Sequence, residues 1–261
     1  MTNLLCDMHI HTVHSADSGI SLEDYCEEAV RRGAHAICFT DHVDLNPNDP
    51  GYGKYDADAF FNEFLHAKEK YRDRLTVLGG IEFGEPHVYK EEFARYIALD
   101  YDFVMGVIHF WYKDMFTSDM VRAGVPAEEC CDIYWKEVLA AVTAGGFDCL
   151  GHMDFPKRYY KKVLYDPDMI AEICTVMVRN NISLEINTSS LRRGIPEAMP
   201  DKDLLPIYKS CGGKYLALGS DSHKLDDLLA GIPYAKELVA YYGFEEVIYE
   251  KRIPLPIRRS D

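Results

Sequence analysis

Long apolar runs, paired cysteines and an excess of basic residues are all missing from this sequence. No apolar run approaches the roughly 18 residues that span a bilayer, and the N-terminus lacks the cationic start and apolar region of a signal peptide. Lys and Arg number 28 against 43 Asp and Glu, which gives a formal charge of −15. Such an acidic surface repels the phosphate backbone of nucleic acids. We therefore expect a chain that binds neither membranes nor nucleic acid.

The eight cysteines lie scattered, mostly within apolar segments, and no C-x-x-C pair occurs. They lack the spacing of a disulfide framework and are typical of reduced core residues in a cytoplasmic protein. Linkers rich in Gly and Ser, low-complexity segments and repeats are also absent. Residues 1–261 are therefore predicted to form one domain, with a disordered tail at Arg258–Asp261.

What is present is an alternation of short apolar segments with longer amphipathic ones. Helix signals include a capping box at Ser21–Asp24, apolar residues at helical spacing from Phe60 to Tyr71, and a helix start at Pro126, with further helices over 168–179 and 201–211. Seven segments are predicted to be strands: Leu4–His11, Ala36–Thr40, Thr76–Phe83, Phe103–His109, Cys149–His152, Ser183–Asn187 and Tyr215–Ser220. This alternation indicates an α/β fold with a parallel sheet, either closed as a barrel or open and doubly wound.

Histidines and carboxylates collect at the carboxyl ends of these strands. They are His9, His11, Asp41, His42, Glu82, His109, His152, Asp221 and His223. In an open sheet only the strands beside the switch point contribute to one site, whereas a barrel brings every carboxyl end to one mouth. The distribution therefore favours a barrel.

The spacing of two residue pairs predicts a metal site. Successive strand residues alternate faces, so His9 and His11 point the same way, and Asp221 and His223 repeat the spacing. Imidazole and carboxylate ligands suit Zn²⁺, Mn²⁺ and Fe, and carboxylates can bridge two ions. Since no cysteine occupies these positions, we interpret the set as a catalytic metal cluster. Asp41 either binds a metal or orients His42.

Six short motifs, in this order, resemble those of the PHP (polymerase and histidinol phosphatase) superfamily over nearly the whole chain. The motifs are Asp7–Thr12, Thr40–His42, Gly80–Glu82, Val107–His109, Gly151–Asp154 and Gly219–His223. Two further segments, 151–159 and 184–192, resemble the histidinol-phosphate phosphatase branch of that superfamily.

The resemblance implies a distorted (β/α)7 TIM-like barrel that holds three divalent metal ions (Zn, Mn or Fe) at the carboxyl ends of its strands. By that similarity the first ion is bound by His9, His11, Glu82 and Asp221, the second by Glu82, His109 and His152, and the third by Asp17, His42 and His223. Many relatives carry His where this chain has Asp17, and His14 lies close enough in sequence to compete for the third site.

A cluster of divalent ions would make the pocket cationic inside an acidic protein. Such a pocket selects a small dianion, and a phosphate monoester is the obvious biological one. Arg158, in a basic segment after His152, and Arg192 are placed to bind phosphate oxygens bidentately. Arg193 is predicted to lie on the surface.

The implied activity is hydrolysis of L-histidinol phosphate by a hydroxide that bridges two metal ions, with Asp221 or His223 orienting or protonating the leaving group. Because this substrate also carries an amine and an imidazole, acidic and aromatic neighbours are expected near Phe110, Trp111 and Glu85.

Other activities share parts of these patterns. A phosphoesterase for nucleotides or other small phosphate esters would have the same metal motifs, so fold and cluster do not separate it from the first interpretation. A PHP exonuclease is disfavoured by the net charge. An amidohydrolase fits badly, because Glu82 lies on the third strand and Asp221 is followed by His223. The complete ligand set argues against a binding module that has lost catalysis.

Overall fold

Residues 4–257 are described in the computed structural model of the protein, so the tail Arg258–Asp261 lies outside the described residues. Each of the seven predicted strands is present, and two additional pairs of strands occur. The strands are β1 (Leu5–Ile10), β2 (Ala34–Val43), β3 (Thr76–Gly84), β4 (Phe103–Val107), β5 (Phe110–Tyr112), β6 (Met115–Phe116), β7 (Cys149–Leu150), β8 (Ser183–Asn187), β9 (Tyr215–Gly219), β10 (Glu245–Glu250) and β11 (Ile253–Pro256).

Helices alternate with these strands, as the sequence pattern predicts. They are α1 (Leu22–Arg31), α2 (Ala57–Tyr71), α3 (Lys90–Tyr96), α4 (Thr117–Arg122), α5 (Ala127–Ala144), α6 (Lys157–Tyr160), α7 (Pro167–Arg179), α8 (Ser189–Arg192), α9 (Leu204–Ser210) and α10 (Ile232–Tyr242). The Ser21 hydroxyl accepts the Asp24 N–H at the start of α1, because this bond satisfies a backbone donor that the first turn leaves free.

The main sheet is largely parallel, in the order β1-β2-β3-β4-β7-β8-β9-β10-β11. All neighbours from β1 to β10 pair in parallel, and only β11 runs antiparallel, to β10. Strands β5 and β6 form a separate hairpin after β4. Since parallel strands place their carboxyl ends at the same edge of the sheet, the side chains that follow β1 to β9 can meet there.

The structure is an α/β fold, but it does not establish the closed barrel expected from the sequence. Within residues 4–257 no ladder joins β1 to β9, and the sheet ends at β1 on one side. One isolated parallel bridge connects Ile10 to Ser222, just beyond β9. It comprises a 2.8 Å bond from the His11 N–H to the Ser222 carbonyl and a 3.2 Å bond from the Ser222 N–H to the His9 carbonyl.

Apolar helix faces cover the sheet and form the core. Helix α2, for example, buries Phe60, Phe64, Ala67 and Tyr71, the residues whose spacing predicts it. All eight cysteines are free thiols, and all except the half-buried Cys211 are buried. In the described part of the chain, no helix combines the length and apolar character that crossing a membrane requires.

Candidate metal centre

The nine residues predicted as metal ligands converge at the carboxyl edge of the parallel sheet. The buried ones are His9, His11, Glu82, His109, His152 and Asp221, and Asp17, His42 and His223 lie toward the opening. The strand pairing explains part of this arrangement, because β2 and β3 are in register with His42 opposite Glu82.

His9 and His11 form the inner wall of the centre. Their Nε2 atoms lie 2.9 Å apart, and the Nε2 of His11 is 3.5 Å from both Glu82 Oε2 and Asp221 Oδ1. The Nε2 of His9 is 3.5 Å from Glu82 Oε1. These side chains therefore direct two imidazole nitrogens and two carboxylates at one small volume, as the i and i+2 spacing predicts.

Glu82 stands at the middle of the cluster. Its Oε1 atom is 2.8 Å from His152 Nε2 and 3.9 Å from His109 Nε2. Its Oε2 atom is 2.9 Å from His42 Nδ1. One carboxylate thus reaches a histidine on β2 and histidines that follow β4 and β7, which is the geometry that a bridging ligand needs.

A third group lies nearer the opening. Asp17 Oδ2 is 3.0 Å from His223 Nε2 and 3.7 Å from His42 Nε2. His14, the competing residue, turns away, and its Nε2 lies 3.4 Å from Glu63 Oε2 on helix α2. The geometry therefore favours Asp17 over His14 at this position.

The charges in this cluster depend strongly on one another. Burial by itself raises the pKa of Glu82, but the positive charges of His42 and His9 outweigh burial and hold the pKa well below its ordinary value. In the same way, Arg158 and His9 hold the pKa of Asp221 well below its usual range. Burial lowers the pKa of His9, but Glu185, Glu82 and Asp221 reverse the effect and raise it. Both carboxylates are therefore ionised and able to bind a cation.

Glu185, on β8, supports the inner wall from behind. Its Oε1 accepts the Nδ1–H of His9 at 2.6 Å, and its Oε2 accepts the backbone N–H of His152 at 2.7 Å. When His9 is neutral, as a metal ligand must be, this bond holds its proton at Nδ1 and leaves the Nε2 lone pair pointing into the centre. Glu185 reaches His9 by crossing Gly219 on β9, where an added Cβ would lie 2.5 Å from the His9 Cβ and would also strike Glu185 Oε1.

Asp41 does not join the cluster but supports it through Ser15. The Ser15 hydroxyl donates to Asp41 Oδ1 at 2.7 Å, and Thr12 donates both its N–H and its hydroxyl to the same carboxylate. Ser15 Oγ in turn lies 3.2 Å from His11 Nδ1 and accepts the backbone N–H of His42 at 3.0 Å. Of the two roles open to Asp41, the geometry favours orientation.

Arg158 and Arg192 both line the cavity that leads to the cluster. The Nη2 of Arg158 donates to Asp221 Oδ2 at 2.5 Å and to Ser189 Oγ at 2.7 Å, while its buried Nε has no hydrogen-bond partner. Arg192 donates from Nη2 to the Ser220 and Asp221 carbonyls at 2.7 and 3.1 Å, so it also fixes the backbone beside Asp221. Arg193, predicted to lie on the surface, is exposed but also lines the cavity.

The cavity has a volume of about 780 Å³ and opens over the cluster. Aromatic side chains cover part of its wall, among them Phe110, Phe116, Phe155 and Tyr159. Trp111 is not one of them, because its ring packs edge-on against Tyr134 on α5 at 4.7 Å between centroids. Glu85 is also turned away from the cavity, since its Oε1 accepts the backbone N–H groups of His109 and Phe110.

Comparison with known proteins identifies the family. A model of the PHP domain matches residues 7–189, which contain seven of the nine clustered residues. The chain belongs to the PHP domain family. Asp221 and His223 lie beyond the matched span and join the PHP site through the strand that precedes them.

Two PHP relatives are similar over nearly their whole length. A probable histidinol-phosphatase of Clostridium acetobutylicum is 29% identical over 262 residues, which cover 96% of this chain and 98% of that protein. The histidinol-phosphatase of Lactococcus lactis is 27% identical over 251 residues, which cover 92% of each chain. A crystal structure of histidinol phosphate phosphatase from Lactococcus lactis, complexed with Zn, L-histidinol and phosphate, superposes with a TM-score of 0.81 at 25% identity, covering 96% of this chain and 98% of that one.

The donor atoms of this PHP centre suit divalent cations. Four groups of three residues bring ligand atoms within 4.8 Å of one another: His9, His11 and Asp221; Glu82, His109 and His152; His11, His42 and His223; and His42, Asp44 and His109. Buried Glu82 Oε2 and His42 Nδ1 are 2.9 Å apart, yet neither makes a hydrogen bond. The unpaired Glu82 oxygen is therefore available to a cation, and the mixture of nitrogen and oxygen ligands fits Zn²⁺ or Mn²⁺.

Two carboxylates at the PHP site, Glu185 and Asp44, are not predicted from the sequence. A signal for both exists in the sequence. Glu185 and Asn187 share the i and i+2 spacing of His9 and His11, and so do His42 and Asp44. Asn187 donates from Nδ2 to Glu185 and to Asp221 Oδ2 at 3.3 Å, so it joins the two halves of the site.

Proposed function

We propose that this protein hydrolyses L-histidinol phosphate to L-histidinol and inorganic phosphate at a cluster of divalent metal ions. The observation that carries the proposal is the convergence of the nine candidate ligands beneath an arginine-lined cavity. The Lactococcus lactis phosphatase, to which the chain is similar over nearly its full length, binds Zn, L-histidinol and phosphate. A small phosphate ester is therefore the substrate class that we assign.

Three ions are proposed, of Zn, Mn or Fe. His9, His11, Glu82 and Asp221 would hold the first, Glu82, His109 and His152 the second, and Asp17, His42 and His223 the third. Glu82 is assigned as the bridging carboxylate because its two oxygens face different histidines. When bound, the ions lower the pKa of a coordinated water and withdraw charge from the phosphate oxygens.

Each cavity side chain has a distinct role in this scheme. Arg158 keeps Asp221 ionised with one nitrogen and presents its free Nε to a phosphate oxygen. Arg192 holds the backbone of Asp221 and offers its remaining nitrogen to the phosphate. The leaving alkoxide needs a proton or a metal ion, and we assign Asp221 and His223, whose Oδ1 and Nδ1 are 3.4 Å apart, to orient the leaving group there.

The same proposal includes a distorted (β/α)7 barrel. The bridge between Ile10 and Ser222 brings the segment after β9 against β1, and Asp7 accepts the backbone N–H groups of Ser220 and Leu229 at 2.8 and 2.9 Å. These contacts support a barrel that is drawn together at its carboxyl end, where the cluster lies.

The proposal is tested with the metal-depleted protein. We expect no release of phosphate from L-histidinol phosphate after chelation, and recovery on addition of Zn²⁺ or Mn²⁺. Glu82→Gln should not recover, because it removes the bridging charge, whereas His14→Gln should recover fully. Hydrolysis that persists without metal ions, or that Glu82→Gln retains, would contradict the proposed chemistry.

A further inference from the structure

We propose that Asp44 binds the ammonium group of the substrate and thereby determines the specificity of this phosphatase. The inference rests on the proposed function and deepens it. Asp44 follows β2 and lines the cavity, although only 7% of the residue is exposed. Its role is not part of the ligand sets proposed above.

Asp44 is a buried carboxylate without a cationic side chain. In the described part of the chain no Lys or Arg forms an ion pair with it. The ring nitrogens of His42 and His109 are 3.7 and 3.8 Å from its oxygens. If these histidines bind metal ions through their other nitrogens they are neutral, so the charge of Asp44 has no side-chain counterpart. Asp44 lines the cavity, where a cationic ligand would supply this counterpart.

The backbone passes close to the Asp44 carboxylate at two glycines. An added Cβ at Gly51 would lie 3.1 Å from Asp44 Oδ2, and one at Gly84 would lie 3.0 Å from Oδ1. Two glycines thus allow the chain to approach both oxygens closely. The Gly51 N–H is donated to Asp49 Oδ1 at 2.6 Å and therefore does not bind Asp44.

The other acidic side chains of the cavity outside the proposed ligand sets already have partners. Asp119 pairs with Arg122 on α4, Asp227 pairs with Arg192, and Asp49 accepts the Gly51 N–H. Glu85, which the sequence suggested for this task, is committed to two backbone donors. Asp44 is therefore the carboxylate that remains for a ligand.

The chemistry of the substrate matches this position. In L-histidinol phosphate the ammonium group is on the carbon next to the one that carries the phosphate ester. An ammonium group so close to the ester must lie beside the metal cluster and not at the rim of the cavity. Asp44 meets this requirement because it is adjacent to His42 and His109. It follows β2, whereas Arg158 and Arg192 follow β7 and β8, so cation and phosphate would be bound by different parts of the site.

The test compares L-histidinol phosphate with 3-(imidazol-4-yl)propyl phosphate, which differs only in lacking the amine. Asp44→Asn should lower kcat/KM for L-histidinol phosphate about tenfold to a hundredfold, the range expected for a hydrogen bond to a charged group. It should change kcat/KM for the analogue less than about threefold. Asp119→Asn, which removes the same charge from the same cavity, should leave both values near those of the unmodified protein. Metal content, measured by elemental analysis, should be unchanged in both variants.

Equal losses on the two substrates, or no loss on either, would overturn the inference. Product inhibition of the unmodified protein provides a test that does not depend on folding of the variant. L-Histidinol should inhibit at least about tenfold more strongly than 3-(imidazol-4-yl)propan-1-ol, and equal inhibition would also overturn the inference. If the unmodified protein hydrolyses p-nitrophenyl phosphate but not L-histidinol phosphate, the proposed function fails. If it prefers L-histidinol phosphate and Asp44→Asn keeps that preference, only the present inference fails.

Discussion

Glu185 on β8 and His9 on β1 are joined by a 2.6 Å hydrogen bond that passes over Gly219 of β9. In the neutral imidazole that can bind a metal ion, the bond fixes the tautomer of His9, because the proton is held at Nδ1 and the Nε2 lone pair faces the cluster. Both side chains are fully buried. The strand behind the site therefore determines how the first histidine of the site can bind a metal ion.

Glu185→Gln is expected to lower the affinity for Zn²⁺ by about tenfold to a hundredfold, the usual effect of losing a carboxylate behind a metal-bound histidine. Competition with a chromophoric chelator measures this affinity. Glu172→Gln, an exposed change on α7, serves as the control. Unchanged affinity in Glu185→Gln would show that His9 is oriented without this bond.

Gly219→Ala tests the same relationship from the side of β9. The new Cβ would strike Glu185 Oε1 and lie 2.5 Å from the His9 Cβ, so one of the two side chains must move. Overpacking of this kind destabilises proteins by about 1 to 3 kcal/mol, and weaker metal binding should accompany it. Denaturant unfolding of the metal-depleted protein measures the first effect. Gly19→Ala meets nothing within 4 Å and should have little effect.

Asp17 and His14 are distinguished by counting metal ions. Asp17→Asn removes the oxygen that lies 3.0 Å from His223 Nε2, so about one of the three proposed ions should be lost. His14→Gln changes a side chain that faces Glu63, and the metal content should stay the same. Elemental analysis of the purified variants gives the result. Loss of an ion from His14→Gln but not from Asp17→Asn would reverse the assignment.

Arg158→Ala should reduce kcat/KM by a factor that corresponds to about 1.5 to 3 kcal/mol, the value of a hydrogen bond to a charged group. Inhibition by inorganic phosphate should weaken in parallel, because the same nitrogen would contact the product. Arg122→Ala is the matched control, since Arg122 lines the cavity but pairs with Asp119. If Arg158→Ala retains full kcat/KM and phosphate inhibition, Arg158 does not bind the phosphate.

The sequence predicts the features that depend only on residues close together in the chain. Strand alternation places His9 and His11 on one face, and the same rule applies to any pair separated by two residues in a strand. The apolar spacing in α2 and the cap at Ser21 are also local, and the structure contains both. The seven parallel strands follow from the same patterns.

Features that depend on contacts across the fold were not predictable in this way. Glu185 acts on His9 only because both side chains approach Gly219 of β9, which leaves room between them. Glu85 turns inward because its Oε1 accepts the backbone N–H groups of His109 and Phe110, which follow β4. Burial raises the pKa of the Glu85 carboxyl to about 7. The short hairpin of β5 and β6 lacks a pattern long enough to distinguish it from a loop, and the pair β10 and β11 was not predicted either.

The most direct test of the central claim is the ratio of kcat/KM values for L-histidinol phosphate, AMP and p-nitrophenyl phosphate, measured with the Mn²⁺- or Zn²⁺-reconstituted protein at neutral pH. Selective transition-state binding predicts that L-histidinol phosphate exceeds both other esters by about a hundredfold or more. Comparable rates on all three esters, or a preference for AMP, would contradict the assignment of L-histidinol phosphate as the substrate.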